Sequence, residues 1–112
     1  MNFKFPEYFY WGSATSAHQV EGGNVNDWSE WEKENAERLA KEVEQKFGHL
    51  ANWQEIKIEA QNTENYISGK ACDHYNRYEE DFDIAKSLGQ NAHRFSIEWS
   101  RIEQEEGKFN EK

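Results

Sequence analysis

The 112-residue chain is poor in cysteine, proline and basic residues, and it has no long apolar run. Its one cysteine, Cys72, excludes an internal disulfide, and no Cys/His cluster shows metal-ligand spacing. Only Lys70 and His74 stand near Cys72 as cations, so a small buried residue is expected there rather than a reactive thiol. With Pro6 the sole proline, helix ends have to be marked by other residues. No segment approaches the ~20 apolar residues of a membrane span. The opening Met1-Asn2-Phe3-Lys4-Phe5-Pro6 lacks the apolar core of a signal peptide. Thirteen Lys and Arg stand against 22 Asp and Glu, a formal charge of −9. That balance removes the basic footprint needed for nucleic acid and any attraction to anionic membranes. The composition therefore implies a cytoplasmic protein without metal or cofactor and without nucleic-acid or membrane partners.

What the chain does have is aromatic side chains, 15% of the residues including five Trp, in a sequence of which 31% is charged. Large aromatics dominate cores, so most of these are expected to be buried, although their flat faces also suit sugar rings. Trp11, Trp99 and Tyr10 are read as core in this way, and His18 and His93 as residues that pack or that support neighbouring site groups, rather than as bases.

Tyr8-Phe9-Tyr10-Trp11-Gly12 reads as a buried strand. It runs into five small residues, Ser13-Ala14-Thr15-Ser16-Ala17, which allow close backbone approach. His18-Gln19-Val20-Glu21 then places polar groups before Gly22-Gly23, the layout of a strand delivering residues to a site. Residues 29–47 read as an amphipathic helix with a Ser29/Glu32 capping box, a stripe of Trp31, Leu39, Val43 and Phe47 beside Ala36 and Ala40, and Gly48 at C′. Its Glu-rich face from Glu30 to Glu44 reads as solvated. A further helical stretch covers 53–61, and 62–69 is turn-like. Because a βα connection is typically ~2–6 residues, the whole span 24–70 is read as an insertion.

A third helix is expected over 75–88, with an apolar face of Tyr75, Tyr78, Phe82, Ala85 and Leu88, Asp73 as its cap and Gly89 at its end. From Ala92 to Trp99 the pattern alternates, Phe95, Ile97 and Trp99 on one side and Arg94, Ser96 and Glu98 on the other. The tail, 101–112, reads as loop with Gly107 as a turn. Strand, insertion, helix, strand is the opening of an α/β protein with a parallel sheet, since such a crossover requires one. Two strands alone leave open edges and uncovered apolar faces, so the 112 residues by themselves are expected to fold poorly.

Phe9-Tyr10-Trp11-Gly12-Ser13-Ala14-Thr15-Ser16-Ala17-His18-Gln19-Val20-Glu21-Gly22 resembles the N-terminal signature of family 1 glycoside hydrolases. Further on, Asp73-His74-Tyr75-Asn76-Arg77-Tyr78-Glu79-Glu80-Asp81 and Arg94-Phe95-Ser96-Ile97-Glu98-Trp99-Ser100-Arg101-Ile102 resemble that family's first barrel helix and second barrel strand. The insertion is matched only loosely. Thr63 and Gln104 depart from the pattern, standing where proline is expected. The resemblance implies a (β/α)8 TIM barrel, of which this chain is the first two strands and first helix, with the site at the C-terminal strand ends. It implies retaining hydrolysis of β-linked glucosides or galactosides by two Glu about 5 Å apart. Those Glu lie in Asn-Glu-Pro and Glu-Asn-Gly motifs, and neither motif occurs in this chain.

The resemblance carries Gln19 over as a sugar-binding amide, a group offering donors and an acceptor without charge. Arg94 carries over as the cation that keeps the nucleophile ionised. Glu21 and Glu98 do not match the catalytic pair; Glu21 is expected to accept hydrogen bonds within its loop. No catalytic residue is assigned in this chain. A carbohydrate-binding module without chemistry, a 6-phospho-β-glucosidase and a half-barrel completed by a second chain are the competing readings, and homo-oligomerisation of the complete enzyme stays open.

Overall fold

Gly12 allows the contact on which the sheet depends. In the computed structural model, which describes residues 3–111, strand β1 (Gly12–Ala14) pairs in parallel with β2 (Ala92–Arg94), Gly12 opposite Ala92 and Ala14 opposite Arg94. A Cβ on Gly12 would stand 2.2 Å from the Ala92 carbonyl oxygen, so a side chain there would force the strands apart. Asn91 lengthens the ladder with its amide, accepting from Trp11 N–H at 2.8 Å and donating to the Phe9 carbonyl at 3.2 Å.

The strand expected over residues 8–12 is thus displaced to the small residues that follow. The reason lies in the aromatics. Phe5, Phe9 and Trp11 cluster on one another, with ring centroids 4.5–4.8 Å apart, instead of entering a sheet. β2 likewise stops at Arg94, because β1 offers no longer partner. The chain beyond it, expected to continue as strand to Trp99, runs as irregular backbone into the short helix α5 (Trp99–Ile102). The tail is a hairpin rather than a loop. β3 (Glu103–Glu105) and β4 (Lys108–Phe109) pair antiparallel, and Gly107 takes the left-handed φ of +76° at the turn.

Between the strands lie α1 (Ala17–Val20), α2 (Asp27–Phe47), α3 (Trp53–Ala60), a 3-10 turn (Thr63–Tyr66) and α4 (His74–Ser87). α2 starts two residues before the expected position. Its capping box joins Asn26 and Ser29, not Ser29 and Glu32: Asn26 Oδ1 accepts from Ser29 N–H at 2.9 Å, and Ser29 Oγ accepts from Asn26 N–H at 3.0 Å. Asp27 and Glu30 in the first turn suit the positive end of the helix dipole. At the other end Gly48 is the C-cap with φ −60°, so its left-handed freedom is unused. Asp73 does precede α4, at φ +60°, but its carboxylate accepts from Asn76 Nδ2 at 2.8 Å and caps no helix N–H.

The span 24–70 closes on itself. Gly23 N–H donates to the Gly69 carbonyl at 2.7 Å, and Gly22, at φ +82°, leaves no room for a Cβ, which would meet the Lys70 carbonyl oxygen at 2.0 Å. This insertion holds most of the core. Ser29, Glu32, Ala36, Ala40 and Val43 form the buried stripe of α2, and Trp53 of α3 is 4% exposed. The stripe is rotated from the one expected, leaving Trp31 and Phe47 on the surface, Trp31 stacked on Trp28 at 5.0 Å.

Of the five tryptophans only Trp53 is buried, which overturns the expectation that most aromatics are core. Tyr10, Trp11 and Trp99 are exposed, as are Tyr75, Tyr78, Phe82 and Leu88 along α4 and Phe95 and Ile97 after β2. Cys72, expected to be buried, is exposed as well, its thiol donating to the Val20 carbonyl at 3.3 Å. The cause is common: among the described residues no element packs over that side of the β1–α4–β2 unit. The radius of gyration, 19.0 Å, is well above the ~13 Å of a compact domain of this length.

Stability should therefore be uneven. Amides of Ala36 to Val43 in α2 are expected to exchange at least about tenfold more slowly than those of α4 and the β1–β2 ladder. Thermal melting of the 112-residue chain should show no single sharp transition; a calorimetric transition with equal van't Hoff and calorimetric enthalpies contradicts this.

Candidate functional site at the strand ends

The C-terminal ends of β1 and β2 lie side by side, joined last by Thr15 N–H donating to the Arg94 carbonyl at 3.0 Å. Both residues singled out in the sequence follow from this. Arg94 closes β2. Gln19 stands in α1, just beyond β1. Each side chain is exposed and makes no hydrogen bond or ion pair among the described residues. Arg94 is thus an uncompensated cation at the strand ends.

α1 is one turn long and is held from outside. Ala17, 5% exposed, donates its N–H to Ser96 Oγ at 2.8 Å, and its carbonyl accepts from Asn24 Nδ2 at 3.2 Å. His18 is gripped by the insertion. Its Nε2 lies 3.0 Å from Glu32 Oε1 and 3.2 Å from Ser68 Oγ, and its Nδ1 lies 3.4 Å from Asn26 Nδ2. Because Asn26 Oδ1 is committed to Ser29 N–H, its Nδ2 must face His18, which makes Nδ1 the acceptor and Nε2–H the donor to Glu32. Asn26 Nδ2 also donates to Glu98 Oε2 at 2.9 Å, and Ser100 Oγ donates to Glu98 Oε1 at 2.8 Å. The clamp therefore reaches across to the chain leaving β2.

Glu32 is only 8% exposed, and it corrects the reading of the whole Glu-rich face as solvated. Burial by itself pushes its carboxyl up. The Ser68 N–H at 2.9 Å, His18 and the Ser68 hydroxyl at 2.8 Å together outweigh burial and hold it below the usual carboxylate range. The signal was present in the spacing: residues 29, 32, 36, 40 and 43 are one helical stripe, so Glu32 lies on the buried face with the alanines.

A second polar knot joins the same segments. Arg101 of α5 donates from Nε to Glu21 Oε2 at 3.0 Å and from Nη2 to Asn24 Oδ1 at 2.7 Å and the Gly22 carbonyl at 2.5 Å, with its guanidinium 4.1 Å above the Tyr75 ring. Glu21 is thus an acceptor, but its donor is Arg101 of α5 and not a group of its own loop as expected. Arg101, Asn24, Asn26 and Ser68 were not singled out from the sequence, because their partners are distant in the chain. A cleft of about 640 Å³ runs between the two knots, lined by His18, Glu32, Ser68, Tyr75 and Arg101 among others; neither Gln19 nor Arg94 lines it. Among the described residues no group of three His, Cys, Asp or Glu is arranged to hold a metal, and no helix is long and apolar enough to cross a membrane.

A parallel β–α–β unit with polar side chains beyond its carboxyl strand ends defines the α/β class that places ligands at that edge. The comparisons make the class specific. The chain belongs to glycosyl hydrolase family 1, whose sequence profile it matches over residues 1–112. It is 37% identical over 111 residues to a 1,4-beta-D-glucan glucohydrolase of Thermotoga neapolitana, covering 97% of this chain and 22% of that protein. To beta-glucosidase 42 of Arabidopsis thaliana it is 41% identical over 98 residues, covering 88% of this chain and 16% of that protein. Among solved structures, a beta-glycosidase from Pyrococcus horikoshii superposes with a TM-score of 0.64 at 43% identity, covering 99% of this chain and 20% of that one. The chain thus spans about a fifth of the length of the relatives it matches.

The Glu32 carboxyl has a direct acid-stability consequence. A carboxyl depressed in the folded state contributes stability that is present above its unfolded pKa and is lost as pH falls through the folded value. Protection of the α2 amides should decline as pH falls below the ordinary Glu value, about 4.3. Glu32→Gln should weaken that protection at neutral pH by about 1–3 kcal/mol and flatten its decline in acid. An equally steep acid limb in Glu32→Gln would show that other carboxylates cause it.

Proposed function

We propose that this chain supplies the first two strands and first helix of a (β/α)8 β-glycosidase, with the 24–70 insertion over the strand ends, acting by retaining hydrolysis on β-linked glucosides or galactosides. The observation that carries this is the family match along the whole chain, supported by the parallel pairing in which Arg94 closes β2 and β1 leads into the turn that holds Gln19. Solved relatives that are β-glycosidases support the barrel.

In this reading Gln19 hydrogen-bonds sugar hydroxyls, its amide donating and accepting without adding charge. Arg94 stands where a carboxylate nucleophile needs a cation. An opposite charge within hydrogen-bond reach lowers a carboxyl pKa by about 1–3 units, which keeps the attacking Glu ionised. The unpaired state of Arg94 here supports that role, because an inward cation in a closed barrel requires a partner. Attack on the anomeric carbon and protonation of the leaving oxygen fall to two Glu in Asn-Glu-Pro and Glu-Asn-Gly segments, neither of which these 112 residues contain.

The test is the coding sequence continued past Lys112, which should encode both segments; a stop codon there overturns the enzyme reading and leaves a sugar-binding module. The 112-residue chain alone should not turn over an aryl β-glucoside. In the complete enzyme, Gln19→Ala removes hydrogen bonds with a combined net contribution of about 1–3 kcal/mol, so kcat/KM should fall roughly 5- to 150-fold. Arg94→Met should raise the nucleophile pKa and move the acid limb of kcat/KM up by about 1–3 pH units; an unmoved limb removes Arg94 from that role.

A further inference from the structure

Glu32 is a buried carboxylate that the reaction above does not use, and it holds the neighbour of a residue that the reaction does use. His18, bonded to Glu32 and close to Ser68, directly precedes Gln19 in α1. A single helical turn is too short to keep its own conformation in water. Its two i→i−4 bonds, Val20 N–H to the Ser16 carbonyl at 3.1 Å and Glu21 N–H to the Ala17 carbonyl at 2.9 Å, need support from elsewhere. The Gln19 side chain makes no hydrogen bond among the described residues, so nothing in its own contacts sets its direction.

We propose that the insertion acts as a positioning clamp for Gln19: Glu32 from α2 and Ser68 from the insertion's closing turn grip His18 and so fix the turn that presents the sugar-binding amide. Glu32 takes the Ser68 N–H on one oxygen and the Ser68 hydroxyl and His18 on the other, using both oxygens and leaving the ring little freedom. Asn26, the cap of α2, extends the clamp to Glu98 beyond β2, so the start and the end of the insertion bear on both strand exits. His18, Glu32 and Ser68 are positioning residues, acting on the sugar only through Gln19. The inference rests on Gln19 contacting the sugar.

Two readouts on the complete enzyme keep the inference and that reading apart. The first is amide exchange. Ser68→Ala and Glu32→Gln should each speed exchange at Val20 and Glu21 by about tenfold, while Ser68→Thr, which keeps the hydroxyl, should exchange as the parent does. Amides of Ala36 to Val43 are followed in every variant, and the change at Val20 and Glu21 is read relative to theirs, whose protection is itself expected to fall in Glu32→Gln. Unchanged exchange at Val20 and Glu21 in both Ser68→Ala and Glu32→Gln overturns the clamp. The second readout is titration with methyl β-D-glucopyranoside, followed at the Gln19 side-chain amide by NMR. Affinity should fall about fivefold or more in Ser68→Ala and return in Ser68→Thr. Faster α1 exchange with undiminished glucoside affinity overturns the positioning role. If the parent Gln19 amide does not respond to the glucoside, the sugar-contact reading fails, and the exchange data still decide whether the clamp exists.

Discussion

A carboxylate withdrawn from water persists as an anion only where its lone pairs find donors, and at Glu32 that requirement organises the surrounding chain. Its donors come from His18 after β1 and from the backbone and hydroxyl of Ser68 at the far end of the insertion. These three segments are remote in sequence and meet because one buried charge needs all of them. Asn26 continues the demand: its oxygen caps α2, which leaves its amide nitrogen for His18 and for Glu98. The helix start, the ring orientation and the chain beyond β2 are thereby tied together.

Burial across the molecule is divided. The insertion buries an alanine and valine stripe of α2 and Trp53 of α3, whereas the β1–α4–β2 unit leaves its aromatic and aliphatic side chains in solvent. Interactions at the strand ends are of another kind, polar and directional: the Glu32 clamp and the Arg101 knot with Glu21, Asn24 and Tyr75. Apolar burial contributes area without direction, while fully satisfied hydrogen-bond networks hold groups in one arrangement. The directional kind holds the ends of β1 and β2, where Arg94 closes one strand and the turn bearing Gln19 follows the other.

Much of the element order was legible. The periodicities of α2, α3 and α4, the extent of the span 24–70 and the parallel relation of the strands all follow from spacing and connection length, while its closure by Gly23 and Gly69 appeared only in the fold. The boundaries of β1 and β2 were not, because a strand exists only where a partner pairs with it. The aromatic run from Tyr8 to Trp11 has strand propensity, yet Phe5, Phe9 and Trp11 pack on each other and the small residues make the ladder. The α2 cap was misplaced since Asn26 and Ser29 both suit that position, and the choice depends on which one Glu98 and His18 engage.

By itself the sequence determined the family and the strand–helix–strand order, because these depend on local pattern and on motifs contiguous in the chain; the roles proposed for Gln19 and Arg94 come from the same motifs. Only the tertiary structure decided which acidic residue is buried, which histidine it holds and which asparagine and arginine knit the strand ends. The reason is physical. Helical spacing alone places Glu32 on the inner face, but whether a charge can remain there depends on donors from His18 and Ser68, residues that adjoin it only after the chain has folded.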